Sequence, residues 1–74
     1  MKVTILFRDG KRRTYDVKIR RGMTIEDIAR EVAEQMCDEF ERAGFEVKDR
    51  ERWIEANMRW LAAHLYEAIL DKVM

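Results

Sequence analysis

Residues 2–20 read Lys2-Val3-Thr4-Ile5-Leu6-Phe7-Arg8-Asp9-Gly10-Lys11-Arg12-Arg13-Thr14-Tyr15-Asp16-Val17-Lys18-Ile19-Arg20. Val3, Ile5 and Phe7 alternate with Lys2, Thr4 and Arg8, with Leu6 the one exception. Tyr15, Val17 and Ile19 alternate with Thr14, Asp16, Lys18 and Arg20. A period of two marks strands that bury one face. The loop between the runs decides which face each side chain takes. A two-residue Asp9-Gly10 turn would pair Arg8 with Lys11, setting Val3 beside Asp16 and Ile5 beside Thr14. A three-residue loop, Arg8-Asp9-Gly10, pairs Phe7 with Lys11, Ile5 with Arg13 and Val3 with Tyr15. Only the second gathers the apolar residues, and register follows the buried face. It requires a left-handed residue at Gly10, in a type I turn with a G1 bulge. A hairpin over residues 2–20 is therefore expected.

Beyond the hairpin the period changes. Gly22 ends the extended run, and Thr24 is a good helix N-cap with Asp27 placed for a capping box. Met23 and Ile28 stand where a hydrophobic staple closes. Ile25, Ile28, Ala29, Val32, Met36, Phe40 and Ala43 form one stripe at helical spacing, so a helix over 25–43 is expected. Gly44 ends it in a Schellman turn, with Phe45 placed for the apolar contact. Asp49 is the next N-cap. Ile54, Met58, Leu61, Leu65, Ala68 and Ile69 form a second stripe on a helix over 50–73. That helix of 24 residues is about 36 Å long at about 1.5 Å per residue. The core is expected to hold Ile5, Val17, Val32, Phe40, Leu61 and Leu65.

Composition bounds the possibilities. Seventy-four residues make one domain with a small core. Hydrophobic residues are 47% and charged residues 41%, with net charge zero, which excludes the profile of a disordered chain. Zero net charge also exerts no global pull toward nucleic acid or membrane. The uncharged run Trp60–Tyr66 falls far short of a membrane span, and no signal peptide is visible after Lys2. Cys37 is alone, so no internal disulfide forms, and a soluble, reducing environment is expected.

Three stretches, Arg8-Asp9-Gly10-Lys11, Tyr15-Asp16-Val17-Lys18-Ile19 and Thr24-Ile25-Glu26-Asp27-Ile28, resemble ubiquitin-like β-grasp proteins. The resemblance covers about half the chain and implies a ββα unit in a right-handed β-grasp arrangement. It stops at Asp49, where that family continues with strands and this chain turns helical. The chain ends Leu70-Asp71-Lys72-Val73-Met74 in place of a glycine-ended tail, so no conjugating function is carried over. As a whole the chain resembles a computationally designed (de novo) miniprotein: abrupt caps, short loops, no proline, and helix surfaces dense in Glu and Arg. Cys37, five methionines, Asn57 and His64 depart from that pattern and suit a small natural or phage-encoded domain instead.

Four constellations merit weighing. Cys37 and His64 are the one nucleophile–base combination, but each sits at the edge of its helical stripe and no glycine-rich loop offers an oxyanion hole. One His and one Cys fall short of the ligands zinc prefers. Residues 1–22 carry +6 and residues 23–51 carry −6, and Lys2, Arg12, Lys18 and Arg20 are expected to share the hairpin's outward face. That face suits phosphates but lacks an aromatic for stacking a base, and solvation of a sheet face explains it more simply. Trp53, Asn57, Trp60 and His64 line one flank of the second helix, where tryptophans serve either as packing or as a partner surface. Tyr66 and Leu70 on the other flank offer a conceivable homodimer contact.

These readings converge on an α+β fold, a two-stranded antiparallel hairpin packed on two helices in the order ββαα. The first functional expectation is a designed structural scaffold whose purpose is its fold. On that expectation the chain is no enzyme and requires no partner. It has no catalytic, cofactor-binding or metal-binding residue. The alternative is a small protein-interaction or self-assembly module using the Trp53/Trp60 flank. A weaker alternative is nucleic-acid binding by the basic hairpin face.

Overall fold

The computed structural model describes residues 1–7 and 9–73, with side chains described as far as residue 65. Strands β1 (Lys2–Leu6) and β2 (Arg12–Asp16) form an antiparallel hairpin, followed by helices α1 (Ile25–Arg42) and α2 (Arg50–Val73). The fold is the α+β, ββαα arrangement that the two periods demand.

The hairpin register is set at its loop. Val3 pairs with Tyr15 and Ile5 with Arg13. The Phe7 N–H donates to Lys11 O at 2.9 Å, closing a three-residue loop. Gly10 has φ +83°, the left-handed conformation the loop needs. Asp9 Oδ1 accepts from the Lys11 N–H at 3.0 Å and stiffens the turn. Val3, Ile5, Tyr15 and Val17 are consequently buried together.

The hairpin is shorter than the alternation suggests. β2 ends at Asp16, and the ladder finishes where the Val17 N–H donates to Met1 O at 2.8 Å. Residues 18–20 pass beyond the partner strand. Ile19, expected on the inner face, is therefore exposed. The chain turns at once, with the Met23 N–H donating to Arg20 O.

Helix α1 has both its ends built as the sequence prescribes. Thr24 Oγ1 accepts from the Asp27 N–H at 3.1 Å, and Asp27 Oδ2 accepts from the Thr24 N–H at 3.0 Å. The main-chain bond from Thr24 holds the Asp27 carboxyl below the ordinary carboxylate range. This contribution is present at neutral pH and is lost as the pH falls through that lowered value. At the other end the Phe45 N–H donates to Phe40 O and the Gly44 N–H to Glu41 O, with Gly44 at φ +98°. These are the two bonds of a Schellman motif.

The buried arc of α1 differs from the expected stripe. Its centre is Ala29, Val32, Ala33 and Cys37, while Ile25, Ile28 and Met36 are half-buried and Ala43 is exposed. The cause is that α1 is covered from two sides, by the hairpin and by α2. Small side chains at 29, 33 and 37 form a low ridge at four-residue spacing on which a second helix packs closely. Cys37, expected at the edge of the stripe, is thus fully buried. Helix α2 is capped by Asp49, whose Oδ1 accepts from the Arg52 N–H, and contributes Ile54, Leu61 and Leu65 to the core. Ala68 and Ile69 of the second stripe, with Tyr66 and Leu70, lie outside the described side chains.

Gly10 gives a direct test of the register. A Cβ there would meet nothing within 4 Å, so any cost of substitution belongs to the backbone alone. Gly10→Val should destabilise the chain by about 1–2 kcal/mol, and Gly10→Asn by clearly less, because Asn tolerates the left-handed region. Urea melts measure both, and equal losses in the two variants would contradict the loop geometry.

Candidate functional site

The last turn of α1 sets up the most distinctive surface. Phe40 is the third residue from the end of α1, and Phe45 follows Gly44, so the Schellman turn brings them together. Their rings stack with centroids 4.3 Å apart and planes within 16°. Trp53, one turn into α2, approaches Phe40 at 5.8 Å. Phe40, expected in the core, is consequently 38% exposed and Phe45 is 56% exposed. The helix ends before the hairpin and α2 can close over Phe40, and ring stacking with Phe45 takes the place of burial.

A groove of about 300 Å³ opens between this aromatic corner and the hairpin turn. Phe7, Tyr15, Met36, Phe40, Phe45 and Trp53 provide its apolar lining. Asp9, Lys11, Arg13 and Glu39 supply both signs of charge. Two of these are already matched. Arg13 Nη1 donates to Glu39 Oε2 at 2.7 Å, and the buried Tyr15 hydroxyl donates to the same oxygen at 3.3 Å. Burial, and then the Glu39 charge, hold the Tyr15 phenol above its ordinary value. Arg13, Glu39 and Tyr15 thus form a charge-neutralised wall beside the aromatic rings.

The expected tryptophan flank forms in part. Asn57 Nδ2 donates to Trp53 O at 2.8 Å, and Trp60 Nε1 donates to Asn57 Oδ1 at 3.0 Å. Trp60 is 40% exposed and meets Phe7 edge-on at 6.3 Å. Phe7 therefore links Trp60 to the groove. His64 is half-buried and joins none of these bonds among the described residues. Phe7, Phe45 and Met36 were not expected as site residues. Phe45 does carry a signal, since it follows the helix-ending glycine, but that signal concerns helix closure.

Cys37 and His64 are not brought together as a pair. Cys37 Sγ contacts Glu41 Oε1 and Arg50 Nη1, each at 3.5 Å. His64 lies about 21 Å further along α2 than Arg50, at about 1.5 Å per residue. Burial, with the Glu41 hydrogen bond, pushes the Cys37 thiol above its ordinary value, away from a reactive thiolate. Arg50 instead ties the helix ends together, through Asp38 Oδ1 and Glu41 Oε1 at 2.6 Å each. Among the described residues no group of three or more His, Cys, Asp or Glu is arranged to hold a metal ion.

The basic hairpin face is smaller than expected. Lys2, Arg12 and Lys18 are exposed. Arg20 turns to α1, its Nη2 lying 3.2 Å from Glu31 Oε1, because the strand has ended before it. Among the described residues no helix is long and apolar enough to cross a membrane. No protein-family model matches the chain, and no curated protein or solved structure matches it either.

Two measurements check these placements. Leu61→Ala, deep in the core, should cost about 2–5 kcal/mol, whereas Phe40→Ala should cost about 1–2 kcal/mol because a large part of the ring is already solvated. Calorimetric melts of the two variants would rank them, and the reverse order would place Phe40 in the core after all. Cys37 should resist a thiol reagent at neutral pH in the native protein and react at once in denaturant. Fast native-state labelling would contradict its burial.

Proposed function

We propose that this chain is a small protein-interaction module whose contact surface is the aromatic groove. The observation that carries this reading is Phe40. It lies on the apolar stripe of α1, yet it is partly open to solvent and stacked on a still more exposed Phe45. These rings line a concave site that Phe7 also lines, and Trp60 adjoins it through its edge-on contact with Phe7. Aromatic residues of this kind dominate the energetics of protein contacts. The neutralised Arg13–Glu39–Tyr15 wall favours an apolar or aromatic side chain from a partner, with Lys11 and Asp9 at the rim to orient its main chain.

A second reading, a designed scaffold whose purpose is its fold, is supported by a different observation. Loop, capping box, Schellman motif and second N-cap all agree with the hydrophobic pattern. A random-peptide library selected on the immobilised protein separates the two. The interaction reading expects enriched peptides sharing an apolar anchor, which perturb the Trp53 indole signal in NMR and bind Phe45→Ser at least about tenfold more weakly. No enrichment, or binders indifferent to Phe45→Ser, would leave the scaffold reading in its place.

A further inference from the structure

The hydrogen-bonding phase of the hairpin leaves one strand edge open. Met1 pairs narrowly with Val17, and Phe7 with Lys11. Antiparallel ladders alternate between hydrogen-bonded and non-hydrogen-bonded pairs. With the register of the hairpin, Val3 and Ile5 therefore bond to β2, while Lys2, Thr4 and Leu6 turn both N–H and C=O away from it. Among the described residues these groups have no hydrogen-bond partner.

The opposite edge is occupied in part. Gln35 Nε2 of α1 donates to Asp16 O at 2.8 Å, and Glu39 of α1 holds Arg13. Helix α1 thus runs beside β2, and among the described residues nothing occupies the β1 edge.

We propose that two copies of this chain pair antiparallel along β1, about a twofold axis at Thr4, to form one four-stranded sheet. The proposal is independent of the aromatic groove. It rests on the self-complementarity of β1. With the axis at Thr4, Lys2 lies opposite Leu6 of the other copy, Thr4 opposite Thr4, and Val3 opposite Ile5. Three outward-turned residues per copy then supply about six main-chain hydrogen bonds. The observed Thr4 Oγ1 to Thr14 Oγ1 contact of 3.1 Å extends into a row of four threonines across the sheet. Leu6, now 52% exposed, is covered by the aliphatic stem of a lysine. No like charges stand directly opposite each other along the seam.

Other even registers are poorer. An axis at Val3 leaves Leu6 without a partner inside β1, and an axis at Ile5 does the same to Lys2. A two-stranded sheet alone is marginal, and doubling it adds strands without changing the core face.

Sedimentation equilibrium and amide exchange on the full chain test the proposal. The expected result is a mass that climbs from 9.0 kDa toward twice that with concentration, with protection of the Thr4 and Leu6 amides climbing in step. Leu6→Lys sets an ammonium opposite Lys2 of the other copy and should weaken association at least about tenfold. Adding Lys2→Glu to that variant should restore it. Leu6 is exposed, so circular dichroism should find both variants folded. A mass of 9.0 kDa at every concentration up to about 1 mM would overturn the proposal. So would Thr4 and Leu6 amides protected in a species of 9.0 kDa, since the edge is then covered within one chain. A dimer indifferent to Leu6→Lys but lost in Phe45→Ser would also overturn it and assign the contact to the groove.

Discussion

The loop from Phe7 to Lys11 constrains nearly everything that follows it. A strand's side chains alternate, so a loop one residue shorter would send Val3 and Ile5 opposite Asp16 and Thr14 instead of Tyr15 and Arg13. The left-handed Gly10 permits the longer loop, and the longer loop gathers Val3, Ile5, Tyr15 and Val17 on one face. That face is what α1 packs against. It also decides that Tyr15 and Arg13 stand on the side where Glu39 can reach both. The inner wall of the groove and the phase of the open β1 edge are thus set by the same few residues.

Electrostatics follow the same assembly. The hairpin segment carries +6 and the segment through α1 carries −6. Arg13 to Glu39 and Arg20 to Glu31 connect the two segments. Arg30 to Glu51 and Arg50 to Asp38 and Glu41 connect α1 with α2. All are partly exposed pairs, each worth little alone. Their common effect is orientation, since each joins different elements and few other packings would satisfy all of them.

Local structure was legible where one residue type has one mechanical role. Gly10, Thr24, Asp27, Gly44 and Asp49 each fix a turn or a helix end, and the structure uses each as the chain chemistry predicts. Side-chain placement was harder wherever two elements compete to cover a third. A stripe on α1 can be read from spacing, but spacing does not say that the start of α2 comes up against Cys37, through Arg50. That approach buries Cys37 and leaves Phe40 at the open end. Ile19 failed for a related reason: alternation persists in the sequence beyond the last residue that has a strand partner. The groove was half visible. Trp53 and Trp60 were recognisable as a flank, whereas Phe7 and Phe45 joined them only through the loop and the Schellman turn.

The stacked pair Phe40–Phe45 has a second role, because the same two rings close the end of α1 and form one wall of the groove. If the groove takes a partner as proposed, occupancy and fraying are thermodynamically linked. A guest that wedges between the rings must unlatch the last helical turn, and its affinity is reduced by the cost of that opening. A guest that lies across them without parting them instead holds the turn shut and suppresses its fraying. Linkage is reciprocal, so under the proposed interaction reading a substitution that merely loosens the helix terminus, far from any atom touching a guest, would shift the selectivity of the groove from flat guests toward intruding ones.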